Sequence, residues 1–182
     1  MDPTESTPYF ITGFPRSRTG WLSVFMATPE VPCFHDLLGT TTWAGLVERA
    51  MRMPCGFSDS GLLFHVQAAI DRFPGAPWVF VHRNFEDAWR SFCELPENPV
   101  GDLTQRQSEE VRVRMQSIGD WARMRLKKKA KCLVVEYEKV DAQLGEIWEH
   151  LKPGKRFSME HARELCRMNV TVKPERMMEG GR

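Results

Sequence analysis

The loop over residues 13–20 contains the residues of this chain that are best suited to chemistry. It combines two arginines, two hydroxyl side chains, two glycines and a proline: Gly13, Pro15, Arg16, Ser17, Arg18, Thr19 and Gly20. An apolar and β-branched run precedes it at residues 9–12, and apolar residues at helical spacing follow from Trp21, which predicts strand, tight loop and helix. Backbone N–H groups that curl around such a loop into a helix N-terminus form a cradle for an oxyanion. We therefore predict a phosphate or a similar oxyanion at residues 16–21.

The loop differs from the one that nucleotide-hydrolysing enzymes use. Their motif, G-x-x-x-x-G-K-[ST], places a lysine on the terminal phosphates and a hydroxyl on Mg²⁺. With Gly13 aligned to the first glycine, the positions of the second glycine, the lysine and the hydroxyl are taken by Arg18, Thr19 and Gly20. The sequence therefore argues against an ATPase loop. A nucleotide or nucleoside kinase of the wider P-loop class stays as an alternative, which Mg²⁺-dependent binding of ATP would support.

A second cationic position follows the apolar run at residues 78–82, which has the length and composition of a buried parallel strand. Arg83 ends this strand, Asn84 is suited to cap the helix that follows, and Ser91 lies eight residues after Arg83. Eight helical residues span about 12 Å. Arg83 and Ser91 can therefore meet on one anion only if Arg83 precedes the helix and bends back. Alternatively, Arg83 pairs with a nearby carboxylate such as Glu86 or Asp87.

The string Gly-Phe-Pro-Arg-Ser-Arg-Thr-Gly-Trp-Leu at residues 13–22 resembles the G-x-P-[RK]-S-G-T-T-W-L loop of sulfotransferases that use 3′-phosphoadenosine 5′-phosphosulfate (PAPS). Arg83 and Ser91 are similar in spacing to that family's 3′-phosphate site, and residues 133–138 to its late strand with a Tyr-Glu pair. The resemblance implies PAPS as co-substrate, no metal, and Arg16 as the cation that stabilises the leaving phosphate. It also implies that Trp21 stacks on adenine, although its spacing with Phe25 suits core packing equally well. Arg18 and Gly20 depart from the pattern.

The predicted elements alternate between strands and helices, which favours a three-layer α/β/α fold with a small, mainly parallel sheet. The resemblance makes this the P-loop NTPase-like sulfotransferase fold. Ligands of such sheets bind at the carboxyl ends of the strands, where Arg16 and Arg83 are both expected. We predict a flexible N-terminus at residues 1–8, one domain over residues 9–172 and a loose tail at residues 173–182. The segment at residues 57–61 is predicted to be a loop, and residues 62–73 to be one helix.

Transfer to an acceptor hydroxyl benefits from a general base, and members of the resembled family use a His or an acidic residue. His35 and Asp36 follow a presumed second strand beside the loop and are the preferred candidates, although His35 could also be a hydrogen-bonded structural residue. Asp59 is more suited to forming a turn. His65 falls within an apolar helical pattern and is expected to be partly buried.

Length and composition limit the remaining possibilities. At 182 residues and a formal net charge of +1, the chain has the size of one domain and no overall field that favours nucleic acid or a membrane surface. Its five scattered cysteines lack C-x-x-C spacing and predict reduced thiols in a cytoplasmic protein with no metal site. Residues 1–8 do not resemble a signal peptide.

The acceptor is expected to be a small molecule that the sequence does not identify, and the oligomeric state is equally open. A non-catalytic protein of the same fold, which binds the nucleotide or an anion, is a further alternative. The departures at Arg18 and Gly20 motivate it.

Overall fold

The computed structural model describes residues 7–95, 100–152, 157, 158, 160 and 162–164. Its centre is a five-stranded sheet in the order β2-β3-β1-β4-β5, and every neighbouring pair is parallel. The strands are β1 (Tyr9–Gly13), β2 (Cys33–His35), β3 (Gly56–Ser58), β4 (Pro77–His82) and β5 (Lys131–Glu136).

Helices connect the strands. They are α1 (Thr19–Met26), α2 (Trp43–Arg52), α3 (Val66–Arg72), α4 (Phe85–Cys93), α5 (Gln105–Lys129) and α6 (Leu144–Leu151). Three 3₁₀ turns lie at Leu37–Gly39, Ser60–Phe64 and Tyr137–Ala142. Within the described ranges, no helix is both long and apolar enough to cross a membrane.

The sheet is covered on both faces, because successive side chains of a strand point in opposite directions. On β4, Trp78 and Phe80 pack with residues of α2, α3, α4 and α5, whereas Val79 and Val81 pack with residues of α1 and α6. All four side chains are at most 1% exposed. Full burial of such a side chain contributes about 1.5–3 kcal/mol each. The predicted three-layer α/β/α fold is therefore confirmed.

The strand order creates a crevice beside the loop after β1. The chain leaves β1 toward β2 on one side of the sheet, and leaves β4 toward β5 on the other. Ligands of parallel sheets bind at such a switch, outside the carboxyl ends of the strands. Gly13 pairs with Val81 here, and a Cβ at residue 13 would lie 2.5 Å from the Val81 carbonyl oxygen. Glycine therefore brings the loop close to the end of β4.

Two sequence predictions need correction. The predicted loop at residues 57–61 begins as β3, which pairs with both β1 and β2. This strand has three residues, and Gly56 and Ser58 on either side of Phe57 have the composition of a turn, so only the pairing reveals it. The predicted helix at residues 62–73 is a 3₁₀ turn followed by α3. The loose tail predicted at residues 173–182 lies outside the described residues.

Candidate functional site

The loop between β1 and α1 has a backbone shape that suits an anion. Arg16 and Arg18 adopt left-handed conformations, with φ of 66° and 62°. Each of these costs about 1–2 kcal/mol for a residue with a Cβ. Ser17 lies between them, and its N–H donates to the Phe14 carbonyl oxygen at 3.1 Å. Turns with left-handed residues direct successive N–H groups to one side and form a concave anion site.

Within the part of the chain that the structure describes, the Ser17 hydroxyl has no hydrogen-bond partner. Ser17 is fully buried, and its Oγ is the buried side-chain polar atom that stays unsatisfied within the described part of the chain. An unsatisfied buried hydroxyl costs about 1–3 kcal/mol. Immediately after it, α1 begins without a side-chain cap and without an acidic residue in its first turn. An oxyanion in the loop would satisfy the hydroxyl and interact favourably with the positive end of the helix.

The structure brings Arg16, Arg83 and Ser91 together in the crevice between β1 and β4. Arg83 donates from Nη1 to the Arg16 carbonyl oxygen at 2.7 Å. Ser91 contacts Arg16 rather than Arg83, because Arg16 donates from Nε to the Ser91 Oγ at 3.3 Å. The alternative in which Arg83 pairs with Glu86 or Asp87 is not realised, since these carboxylates pair with other arginines.

Tyr137 and Asp141 complete this side of the site, and sequence reasoning gave neither of them a role. The Tyr137 ring lies beneath two guanidinium groups, with the Cζ atoms of Arg83 and Arg18 at 4.5 and 5.0 Å from its centroid. Arg18 also pairs with Asp141, with 2.6 Å between Nη1 and Oδ1. The Tyr-Glu pair that contributed to the resemblance was the sequence feature that could have indicated Tyr137 as a site residue. No sequence pattern linked Asp141 to Arg18, which lies 123 residues away.

His35 and Asp36 lie at the end of β2, beside the first turn of α1. The His35 Nδ1 is 2.8 Å from the Ser58 carbonyl oxygen, and its Nε2 is 3.0 Å from the Asp36 Oδ2. Both ring nitrogens therefore face acceptors, an arrangement that only the doubly protonated imidazolium satisfies with two hydrogen bonds. A Cβ at Gly20 would lie 2.9 Å from the His35 Nε2. Glycine at residue 20, one of the departures from the resembled motif, thus makes room for this ring.

Asp59 stabilises the turn after β3. Its carboxylate accepts from the Leu38 N–H at 2.8 Å and from the Gly61 N–H at 2.7 Å. Burial raises the pKa of Asp59, and the two N–H donors partly offset this. The carboxylate is thus engaged in local structure, which agrees with the turn-forming role expected for it.

The other aromatic and histidine candidates pack against neighbours. Trp21 is half-buried and stacks on Phe25 at 5.5 Å between ring centroids. His65 is half-buried, as expected, but it precedes α3 and stacks on Trp43 at 5.4 Å between ring centroids rather than lying on a helix face. Within the described ranges, no group of three or more His, Cys, Asp or Glu side chains is arranged to hold a metal.

The His35–Asp36 pair gives a pH-dependent contribution to stability. Burial lowers the pKa of His35, but the Asp36 carboxylate and the Ser58 carbonyl outweigh this, so that its pKa is raised. The contribution is fully present below the unfolded pKa of about 6.5 and is lost as pH rises through the higher folded pKa. We expect the difference in the free energy of unfolding between wild type and His35→Gln, measured by urea unfolding, to decrease above about pH 6.5. A constant difference from pH 5.5 to 8.5 would contradict this.

Comparison of the structure with solved structures finds sulfotransferases. A sulfotransferase from Alicyclobacillus acidocaldarius superposes with a TM-score of 0.61 at 16% identity, over 86% of this chain and 88% of that one. Mouse sulfotransferase SULT7A1, in a structure complexed with PAP, superposes with a TM-score of 0.62 at 14% identity, over 89% of this chain. The match spans 64% of the mouse chain. The chain therefore has the sulfotransferase fold that the resemblance implied.

Other comparisons add little. Shikimate kinase from Bacteroides thetaiotaomicron superposes with a TM-score of 0.49 at 13% identity, over 80% of this chain and 98% of that one, which is too weak to bear on function. No protein-family model matches the sequence, and no curated protein matches it.

Proposed function

We propose that this protein transfers a sulfuryl group from PAPS to a hydroxyl or amine of a small acceptor. The observation that supports this best is the convergence of Arg16 and Arg83 at the ends of β1 and β4, beside a buried Ser17 hydroxyl that has no partner among the described residues. A ligand with two separate phosphates matches two cationic positions better than a single anion does. The sulfotransferase fold of the chain is consistent with this assignment.

In this proposal the loop and the arginines bind the nucleotide portion. The backbone N–H groups of residues 16 and 18–20 and the Ser17 hydroxyl hold the 5′-phosphate and sulfate, with the positive end of α1 behind them. Arg83 and Ser91 hold the 3′-phosphate. Arg16 belongs to the loop that holds the 5′-phosphate and also contacts the residues that hold the 3′-phosphate. Its carbonyl oxygen accepts from Arg83, and its Nε donates to Ser91.

The chemistry needs in-line placement and stabilisation of charge on oxygen. The acceptor oxygen or nitrogen forms a bond to sulfur, while the bond from sulfur to the bridging phosphate oxygen breaks. That oxygen keeps the electron pair, and Arg16 stabilises the resulting negative charge. The cations and N–H groups supply this stabilisation without a requirement for Mg²⁺.

We assign proton removal from the acceptor to Asp36. Both nitrogens of His35 face acceptors, which leaves no free lone pair on the imidazolium to take a proton. The Asp36 side chain is 57% exposed and accessible to an acceptor. His35 then orients the Asp36 carboxylate and adds positive charge beside the first turn of α1.

Isothermal titration with adenosine 3′,5′-bisphosphate, the nucleotide product of the reaction, tests the proposal at the level of binding. We expect saturable binding of one nucleotide per chain without added metal. Absence of binding at millimolar ligand would overturn the proposal. Binding of ATP only in the presence of Mg²⁺ would favour a P-loop kinase instead.

A protein that binds the nucleotide without turnover is a second candidate. The observation that favours it is the engagement of both His35 nitrogens, together with Arg18 at a position where the resembled motif has glycine. Incubation with sulfur-labelled PAPS and mixed phenols, alcohols and amines separates the two candidates. Labelled products indicate the enzyme, whereas nucleotide binding without any labelled product or labelled sulfate indicates the second candidate.

A further inference from the structure

Arg18 and Asp141 form an ion pair at the rim of the anion loop. The Arg18 Nη1 and the Asp141 Oδ1 are 2.6 Å apart, and the two side chains are 32% and 54% exposed. Arg18 is the residue before α1, next to Ser17, and its guanidinium shares the Tyr137 ring with Arg83. Among the ion pairs of the described residues, the one that involves Arg16, Arg18 or Arg83 is the pair between Arg18 and Asp141.

We propose that Arg18 binds phosphate, and that Asp141 competes with the ligand for its guanidinium. A half-exposed ion pair contributes little to stability, so a ligand can displace its carboxylate. A phosphate offers the guanidinium two parallel, charge-assisted hydrogen bonds and can also satisfy the neighbouring Ser17 hydroxyl. Asp141 therefore lowers the affinity of the site for anions. This inference rests on the proposed function, because it concerns the same anion site.

The test is a titration with adenosine 3′,5′-bisphosphate and, separately, inorganic pyrophosphate. Both are titrated at one fixed ionic strength, since exposed charges are screened by salt. The Asp141→Asn variant keeps the shape of the side chain and removes its charge. We expect it to bind both ligands about threefold more tightly than wild type.

Glu138→Gln is the matched control. Glu138 is exposed, lies on the same 3₁₀ turn as Asp141 and undergoes the same change of charge. It forms none of the ion pairs found in the described part of the chain, so its replacement should alter affinity far less. An equal gain in affinity in both variants would mean that any lost negative charge on this turn has the same effect, and it would overturn the inference.

A double-mutant cycle with Arg18→Gly identifies the partner. Glycine accepts the left-handed backbone at residue 18, where φ is 62°. We expect Arg18→Gly to weaken binding about tenfold. Asp141→Asn should then add no gain in that background, because coupled residues are non-additive. A gain of the same size in both backgrounds, or no gain in either, would overturn the inference.

The two ligands separate this inference from the proposed function. If pyrophosphate follows the expected pattern while the bisphosphate nucleotide does not bind, the inference holds and the proposed function fails. If both ligands bind but Asp141→Asn has no effect, only the inference fails. If neither ligand binds, both are overturned.

Discussion

Replacing Arg83 by alanine is expected to weaken the binding of adenosine 3′,5′-bisphosphate about 30- to 150-fold. Arg83 directly follows β4, and its guanidinium contacts the Arg16 carbonyl and the Tyr137 ring. In our proposal it therefore both binds the ligand and supports the loop. Charge-assisted hydrogen bonds of this kind contribute about 2–3 kcal/mol, which corresponds to that loss. Isothermal titration measures the effect directly.

Two further variants make the Arg83 result specific. Arg83→Lys keeps the charge but loses the planar fork, so its affinity should lie between those of wild type and Arg83→Ala. Arg106→Ala removes an arginine that is 89% exposed on α5 and should leave binding within about twofold of wild type. If Arg83→Ala also stays within this range, Arg83 is not a ligand-binding residue.

The second large effect is expected at Asp36. Replacement by asparagine should lower sulfuryl transfer by about 10²-fold or more, because the acceptor loses the group that takes its proton. Binding of the bisphosphate nucleotide should stay within about twofold, since Asp36 pairs with His35 rather than with the arginines. The measurement combines single-turnover transfer from labelled PAPS with a nucleotide titration of the same variant.

His35→Gln distinguishes the roles of the two residues. Glutamine can still donate to one acceptor but carries no charge, so we expect a smaller loss of rate than with Asp36→Asn. If His35→Gln abolishes transfer while Asp36→Asn leaves it intact, the imidazole is the base and our assignment is wrong.

Strands with continuous apolar runs were predictable from sequence, because burial on both faces leaves a pattern that is visible without the fold. Residues 78–82 were predicted as a strand, and β4 occupies nearly the same positions. In contrast, β3 was missed because a strand of three residues has no recognisable sequence pattern and is defined by its pairing with β1 and β2. The parallel pairing, and with it the crevice beside β1, follows only from the complete sheet.

The site was predictable where motifs are local. The strand–loop–helix over residues 9–26 places the arginines and hydroxyls of the loop by chain geometry alone. The contacts of Arg18 with Asp141 and of Arg83 with Tyr137 join distant segments, and no spacing rule relates such positions. The space that Gly20 leaves for His35 likewise depends on how β2 packs beside α1.

The most direct test of the central claim is a crystal structure with adenosine 3′,5′-bisphosphate bound. Our account predicts one nucleotide across the ends of β1 and β4, with its 5′-phosphate within hydrogen-bonding distance of the Ser17 Oγ and its 3′-phosphate within that distance of the Arg83 guanidinium. A nucleotide bound elsewhere, or one that leaves the Ser17 hydroxyl unsatisfied and Arg83 without a phosphate, would contradict it.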